Sequence, residues 1–207
     1  MVKDKNNAQR IYGYWTEGFV FDDHVKSSKY LGRNEVTGYD EWENNRSLMG
    51  EFIYQLKYKN DISAVKNIVD LCMTFLSTWL RGKNVDIIIP APFSKDRKVQ
   101  PVNLIAHEIA QRANKTYRPD LLRKNNNAES KSQFKKIEIE ASLNESLPAN
   151  VLIVDDVYQT GATLRETASV IAMKYNVKNI YVFCLTKARI RNSSSDINSD
   201  VDFDLPF

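Results

Sequence analysis

The 207-residue sequence has few of the residues that commit a chain to disulfide, metal or membrane chemistry. It contains two cysteines, two histidines and seven glycines. Cys72 and Cys184 each lie inside an apolar segment, which predicts reduced core residues rather than a disulfide framework. No apolar run approaches the length that spans a bilayer, and the first residues lack the apolar core of a signal peptide. We therefore expect a cytoplasmic protein that does not enter a membrane.

The two histidines give little support for a metal centre. His24 follows Asp22 and Asp23, but the sequence holds no second cluster at ligand spacing. A solvated turn is therefore the favoured interpretation of this segment, and a metal site is the alternative. His107 falls in a predicted helix, where we expect it on the surface rather than in catalysis.

Charge is unevenly distributed along the chain. The formal net charge is +3, but residues 193–207 hold four aspartates and no base, so the rest carries +7. Residues 112–136 contain eight bases and two acids. Two interpretations of this basic stretch stay open: a solvated loop, or a lid that closes over an anionic leaving group. The charge is compatible with an anionic ligand or with single-stranded DNA.

Hydrophobic periodicity predicts alternating helices and strands after an aromatic-rich beginning. Residues 11–39 predict short strands or an irregular hairpin. Beyond them we predict helices over 47–58, 62–80 and 101–114 and strands over 85–90 and 179–186, with Ser47 as an N-cap and Pro101 opening the third helix. Lys57, Tyr58 and Lys59 lie between the first two helices. They either face an anion or form a solvated basic turn.

The most informative stretch is residues 151–164, with the sequence VLIVDDVYQTGATL. Four apolar residues predict a buried strand that ends at Asp155 and Asp156. A turn containing Gly161 follows, and a helix is predicted from Leu164. Free N–H groups and the positive end of the helix dipole make such a turn an anion site, while the carboxylates suit a sugar hydroxyl or hydrated Mg²⁺. The alternative is an ordinary strand–loop–helix unit.

This stretch resembles the 5-phosphoribosyl-1-pyrophosphate (PRPP) motif of type I phosphoribosyltransferases. The order of predicted elements over residues 46–190 resembles the ComF-like phosphoribosyltransferases of bacteria, which are associated with DNA uptake. The resemblance implies a type I phosphoribosyltransferase fold, which is an α/β fold with a mostly parallel central sheet flanked by helices. We therefore expect an irregular or β-structured hood over 1–45 and a core over 46–190. The polar, acidic composition of residues 191–207 predicts a disordered tail.

The resemblance further implies roles for individual residues. Asp155 and Asp156 become the candidate catalytic residues, which bind the ribose hydroxyls and, through ligand and water, Mg²⁺. The candidate 5′-phosphate residues are Thr160, Gly161, Ala162 and Thr163. The candidate pyrophosphate residues are Ala91, Pro92, Phe93, Ser94 and Lys95, and the candidate lid residues are Arg123, Lys124 and Lys131.

Two departures from the family pattern concern the second substrate. ComF-like proteins typically carry Arg-Gly-Phe-Asn-Gln after the pyrophosphate loop, of which this chain keeps only Asn103. Gln159 stands where hypoxanthine-guanine phosphoribosyltransferases place an aspartate as a base on the purine ring. A glutamine amide cannot accept that proton at neutral pH, so we do not expect a 6-oxopurine acceptor. The acceptor is an unidentified nitrogen nucleophile.

The end of the sequence carries a second resemblance. Asp204, Leu205, Pro206 and Phe207 resemble the C-terminal tip of bacterial single-stranded DNA-binding proteins, which docks on repair and replication enzymes. A solubilising tail is the alternative. Two functions therefore stand: a Mg²⁺-dependent phosphoribosyltransferase, or a PRPP-fold sensor or interaction module that acts in DNA metabolism or defence through this tail. Either is compatible with an oligomer.

Overall fold

The computed structural model describes residues 8–93, 100–124, 139–142, 146–147 and 149–188. In the N-terminal half the elements are β1 (Gln9–Ile11), β2 (Glu17–Asp23), β3 (Val25–Arg33), β4 (Asp40–Arg46), α1 (Leu48–Tyr58) and α2 (Ala64–Trp79). They are followed by β5 (Ile87–Pro90), α3 (Pro101–Ala113), β6 (Thr116–Tyr117), β7 (Leu122–Lys124), β8 (Ile139–Ala141), β9 (Asn150–Tyr158), α4 (Ala162–Tyr175) and β10 (Asn179–Lys187).

The centre of the fold is a six-stranded sheet in the order β1-β2-β10-β9-β5-β6. β2, β10, β9, β5 and β6 run parallel, and β1 pairs antiparallel with β2 at one edge. β9 lies between β10 and β5, so the strand that carries the acid pair is central. The predicted α/β class with a mostly parallel sheet is thereby confirmed.

Helices cover both faces of the sheet, which explains the continuous apolar runs of its central strands. Leu152 and Val154 of β9 pack in the cluster formed with α1, α2 and α3. Val151 and Ile153 point to the other face, where α4 supplies Leu164, Ala168 and Ile171. Alternate side chains of β9 therefore pack against helices on opposite faces of the sheet.

The N-terminal segment contributes two different structures. β2 is a member of the central sheet, because Phe19 and Val20 pair in register with Phe183 and Cys184 of β10. β3 and β4 form a separate antiparallel hairpin, most of whose residues are exposed. Within the region expected as a hood, residues 9–23 therefore extend the sheet, and the β3–β4 hairpin is the part that stands apart from it.

The environment of His24 differs from the solvated turn expected for it. Its side chain is 7% exposed, and Nδ1 lies 3.0 Å from the hydroxyl oxygen of Thr186. The reason is tertiary, because the parallel pairing of β2 with β10 brings residue 24 beside the end of β10. Across the part of the chain that the structure describes, no group of three or more His, Cys, Asp or Glu side chains is placed to hold a metal.

The expectations for the two cysteines and for His107 agree with the structure. Cys72 and Cys184 are free, buried thiols, and burial raises the pKa of Cys72 to about 12. His107 is exposed on α3, with its ring 5.1 Å from the ring of Tyr117. Of the helices that the structure describes, none combines the length and apolar character needed to cross a bilayer.

Candidate active site

β9 continues past the point at which the sequence predicted its end. Asp155 and Asp156 are strand residues, and pairing with β10 persists to Tyr158. On the other side β5 ends at Pro90, opposite Val154. From Asp155 onward β9 therefore lacks the β5 neighbour and extends past it at the carboxyl ends of the strands. In open α/β sheets this is where ligands bind.

The turn after β9 depends on Gly161. Its φ is +74°, and a Cβ at this position would lie only 2.7 Å from the ring of Tyr158. α4 begins directly after it at Ala162, two residues earlier than predicted. A side chain at position 161 would thus be strained by the positive φ and would displace the Tyr158 ring, so the turn favours glycine here.

The N-terminus of α4 has features of an anion-binding site. Its N-cap residue, Gly161, has no side chain to cap it, and its first turn contains no acid, although the Thr160 hydroxyl accepts a hydrogen bond from the Ala162 amide at 3.3 Å. α2 and α3 share the lack of an N-cap side-chain hydrogen bond and of a first-turn acid, whereas in α1 Ser47 accepts a hydrogen bond from the amide of Gly50 and Glu51 lies in the first turn. An uncapped helix start exposes N–H donors and the positive end of the dipole. The expected 5′-phosphate residues 160–163 occupy this position.

The acid pair is held by a lysine from another element. Nζ of Lys57, in the last turn of α1, lies 2.8 Å from Oδ2 of Asp156. The two side chains are 16% and 13% exposed, so the pair is largely shielded from water. Of the two interpretations left open for residues 57–59, the solvated basic turn is wrong for Lys57. The anion that Lys57 faces is the carboxylate of Asp156.

Burial and charge shift the acid–base behaviour of this cluster. Burial, together with the charge of Asp156, raises the pKa of Asp155 to about 7. Burial by itself would lower the pKa of Lys57, but the adjacent Asp156 carboxylate outweighs it and the pKa is raised. Lys57 is therefore a permanent cation at neutral pH, while Asp155 titrates in that range.

The structure divides the lid residues predicted from the basic stretch. The charge of Lys124, at the end of β7, lowers the pKa of Asp155 and so acts on the acid pair. The side chain of Arg123 is 70% exposed and pairs with Glu140 across the β7–β8 hairpin at 3.2 Å. Lys131 lies outside the described residues. Lys124 therefore stays a candidate lid residue, whereas Arg123 belongs to the hairpin surface.

The predicted pyrophosphate loop is described only in its first part. Ala91 and Pro92 are buried, and Phe93 is 42% exposed. The amide of Ala91 donates to the carbonyl of Val154 at 2.8 Å, and Pro92 has no N–H. Phe93 is therefore the described member of this set whose amide could serve an anion. Ser94 and Lys95 lie outside the described residues, as does the tail 191–207 with Asp204, Leu205, Pro206 and Phe207.

Sequence patterns did not point to a polar chain behind the acid pair. The hydroxyl of Thr186 donates to the backbone carbonyl of Asp156 at 3.1 Å and lies 3.0 Å from Nδ1 of His24. Thr186 and His24 are both buried. They are 162 residues apart in the sequence, so only the pairing of β10 with β2 and β9 brings them to Asp156.

A cavity of about 400 Å³ lies elsewhere, between the ends of α2 and α3. It is lined by apolar side chains and by polar residues at its rim, including Leu76, Leu80, Ile109, Arg81, Asn84 and Lys115. Asn84 and Lys115 precede β5 and β6, so the cavity opens at the opposite edge of the sheet from Asp155. It is separate from the acid pair.

The described residues fit Mg²⁺ in one particular way. Asp155 and Asp156 offer the oxygen donors that this ion prefers. However, Oδ2 of Asp156 is occupied by Lys57, and two carboxylates do not make a cage. The donor set therefore fits an ion held mainly by ligand oxygens and water.

Comparison with known proteins places these features in a family context. The chain is 28% identical over 191 residues to the competence protein ComFC of Bacillus subtilis (strain 168), which covers 87% of this chain and 75% of that protein. No protein-family model matches the chain.

Among solved structures, the chain is similar to adenine phosphoribosyltransferases. That of Saccharomyces cerevisiae, complexed with an imino-altritol bisphosphate and adenine, is 12% identical with a TM-score of 0.49 and covers 77% of this chain and 84% of its own. That of Thermoanaerobacter pseudethanolicus is 16% identical with a TM-score of 0.47 and covers 77% and 83%. These values carry no argument about activity. The similarity to ComFC agrees with the resemblance to ComF-like proteins predicted from the motif and element order.

Proposed function

We propose that this protein binds PRPP at the edge formed by β9 and α4 and transfers its phosphoribosyl group to a nitrogen nucleophile. The observation that supports it most is the combination at the end of β9. A half-buried acid pair lies on the strand that leads into a glycine turn and the start of a helix whose N-cap residue has no side chain. Carboxylates bind sugar hydroxyls and the helix start binds a phosphate, so a sugar phosphate satisfies both.

Each part of the donor then has a protein partner. The ribose hydroxyls bind Asp155 and Asp156, and the 5′-phosphate binds the amides and hydroxyls of Thr160, Gly161, Ala162 and Thr163. The pyrophosphate lies toward the loop of residues 91–95. Lys124, whose charge already reaches Asp155, adds positive charge on this side.

The reaction proposed for this site is a displacement at C1 of the ribose. The bond from C1 to the pyrophosphate oxygen breaks, its electron pair leaves with pyrophosphate, and a bond from C1 to the acceptor nitrogen forms. Positive charge develops on the ribose ring in the transition state. Orientation by the fixed acid pair, and the nearby carboxylate charge, lower the barrier.

Mg²⁺ would enter with the donor and neutralise pyrophosphate charge when bound. Asp155 and Asp156 are the residues that would face it, through ligand oxygens and water. Lys57 stays on Asp156 in this arrangement, so the protein contributes a cation of its own. We place the protein in the cytoplasm, where PRPP chemistry and reduced cysteines are compatible.

Gln159 limits the acceptor. It is exposed at the start of the turn, and its amide cannot take a proton from an incoming nucleophile. We therefore propose an acceptor that loses its proton to water or to the leaving pyrophosphate. The β3–β4 hairpin begins at the same edge, because Asp23 pairs with Lys187, and its Tyr30 and Trp42 rings lie 4.9 Å apart. We assign the acceptor to this side.

Calorimetry with Mg²⁺ and PRPP tests the binding site. We expect Asp155→Asn and Asp156→Asn each to abolish measurable binding. Asp70→Asn is the matched control, because Asp70 is a carboxylate paired with Lys66 and Arg112 on the surface of α2. Unchanged PRPP affinity in both site variants would refute the assignment.

A second assay separates an enzyme from a sensor. Pyrophosphate release is measured with PRPP over a panel of nucleobases, amines and nucleotides. Release with any acceptor supports a transferase. PRPP binding without release across the panel would favour the alternative, a sensor or interaction module that has kept the pocket.

A link to DNA metabolism through the tail is a separate proposal. It depends on Asp204, Leu205, Pro206 and Phe207, whose chemistry suits an apolar pocket with basic residues around it. Purified DNA-repair enzymes are tested for binding to the full chain and to a chain that lacks residues 205–207. Equal binding to both would remove this proposal without touching the PRPP site.

A further inference from the structure

Lys57 has an unusual position for a surface helix residue. It follows the fully buried Leu56 in the last turn of α1, where the negative end of the helix dipole also favours a cation. Met49, Ile53 and Leu56 anchor α1 in the core. The packing of α1 in the core therefore fixes Lys57 beside Asp156. A lysine on a mobile surface segment would not be fixed in this way.

The acid pair needs a cation even in the absence of a ligand. Two neighbouring carboxylates in a shielded crevice repel one another, and an unpaired buried carboxylate is costly. In many proteins a metal ion meets this need. Here the ammonium of Lys57 lies 2.8 Å from Oδ2 of Asp156, on an oxygen that would otherwise be open to a metal.

The backbone of Asp156 is fixed as well. Thr186 donates its hydroxyl proton to the Asp156 carbonyl at 3.1 Å, and β10 pairs with β9 on both sides of this residue. Side chain and backbone are thus held by two different elements, α1 and β10. A carboxylate held at both ends is oriented before any ligand arrives.

We propose that Lys57 takes the place of a protein-bound metal ion at the acid pair. Its ammonium neutralises Asp156, keeps divalent cations off that carboxylate and fixes it to receive the ribose hydroxyls. The last step rests on the proposed PRPP function, whereas the exclusion of divalent cations does not. Lys57 is a positioning residue in this role, since it acts through Asp156.

Mn²⁺ alone, added to the protein without PRPP, tests the exclusion directly. Free Mn²⁺ is followed by electron paramagnetic resonance with wild type, Lys57→Met, Lys57→Gln and Lys57→Arg. We expect weak binding to wild type and to Lys57→Arg, which keeps the charge. The Met and Gln variants should bind about ten- to a hundredfold more tightly, because a shielded carboxylate is released. If the oxygen that Lys57 occupies were not accessible to a metal ion, its release would give no such gain.

The double variant Lys57→Met with Asp156→Asn locates the effect. It removes both charges, so the gain in Mn²⁺ affinity should disappear while folding is retained. No gain in the two neutral variants, or a gain that persists in the double variant, overturns the proposal. If wild type binds no PRPP in calorimetry, the proposed function is wrong. The Mn²⁺ measurement is independent of that result and still decides the role of Lys57.

Discussion

Nδ1 of His24 lies 3.0 Å from the hydroxyl oxygen of Thr186. That hydroxyl has one proton, which it donates to the backbone carbonyl of Asp156 at 3.1 Å. With that proton on the Asp156 carbonyl, the contact of Nδ1 with Thr186 is a hydrogen bond in the tautomer whose Nδ1 carries the proton. A buried three-residue chain thus connects the start of the β3–β4 hairpin to the acid pair, and it lies under the carboxylate that Lys57 holds.

Loss of the Thr186 hydroxyl should weaken this connection. We expect Thr186→Val to lower the free energy of unfolding by about 1–3 kcal/mol, because a buried carbonyl and a buried N–H both lose their partner. PRPP affinity should fall as well, since the backbone of Asp156 is no longer held. Chemical denaturation and calorimetry measure the two effects. Thr186→Ser keeps the hydroxyl and should stay close to wild type, so an equal loss in the serine variant would argue against the hydrogen bonds as the cause.

The raised pKa of Asp155 predicts how stability depends on pH. Its pKa rises from 3.8 to about 7 on folding, so the folded protein binds this proton more tightly than the unfolded chain. The stabilising contribution of the proton is complete below about pH 4 and is lost as the pH rises through 7. Above pH 7 the folded state carries a shielded charge.

Asp155→Asn should therefore stabilise the protein most at alkaline pH. We expect the free energy of unfolding to rise by about 2 kcal/mol at pH 8, below the limit of about 4 kcal/mol that a shift of three pKa units implies. The gain should shrink at pH 5 and vanish near pH 4. Denaturant titrations across this range provide the measurement, with Glu35→Gln on the exposed hairpin turn as control. A gain that does not vary with pH would contradict the explanation.

Gly161 and Gly82 form a matched pair for testing the turn. Both have positive φ, +74° and +77°, but a Cβ would meet the Tyr158 ring at position 161 and nothing within 4 Å at position 82. Gly82→Ala should cost about 1 kcal/mol from backbone strain alone. Gly161→Ala should cost more and should also lower PRPP affinity. Equal losses of stability, with PRPP binding intact, would mean that the turn tolerates the side chain.

A comparison of Lys124 with Arg123 tests whether PRPP binding depends on the site or on the basic surface beside it. They are neighbours in β7, yet the charge of Lys124 acts on Asp155 while Arg123 pairs with Glu140. We expect Lys124→Met to weaken PRPP binding about tenfold, the usual scale for one charge-assisted hydrogen bond. Arg123→Met should change it less than twofold, because an exposed ion pair contributes little. Calorimetry at constant salt compares them, and similar losses would point to general charge attraction instead.

The order of residues by itself determined the class of fold and predicted the position of the proposed donor site. Apolar runs bounded by turn residues predicted β5, β9 and β10, and the pattern from Val151 to Leu164 predicted a strand, an anion turn and a helix in that order. These signals are local, because each depends on residues a few positions apart. The need for glycine at 161 is of the same kind, since one backbone angle and one neighbouring ring determine it.

Tertiary structure alone decided which charges meet at the site. Lys57 lies 99 residues before Asp156 in the numbering, and no periodicity links them; the packing of α1 brings them to 2.8 Å. His24 and Thr186 met through parallel strand pairing, which the solvated turn expected for His24 did not anticipate. Long-range pairing leaves no local pattern, because it results from the burial of several elements together. The sequence therefore pointed to the two carboxylates, and the fold supplied the lysine that holds them.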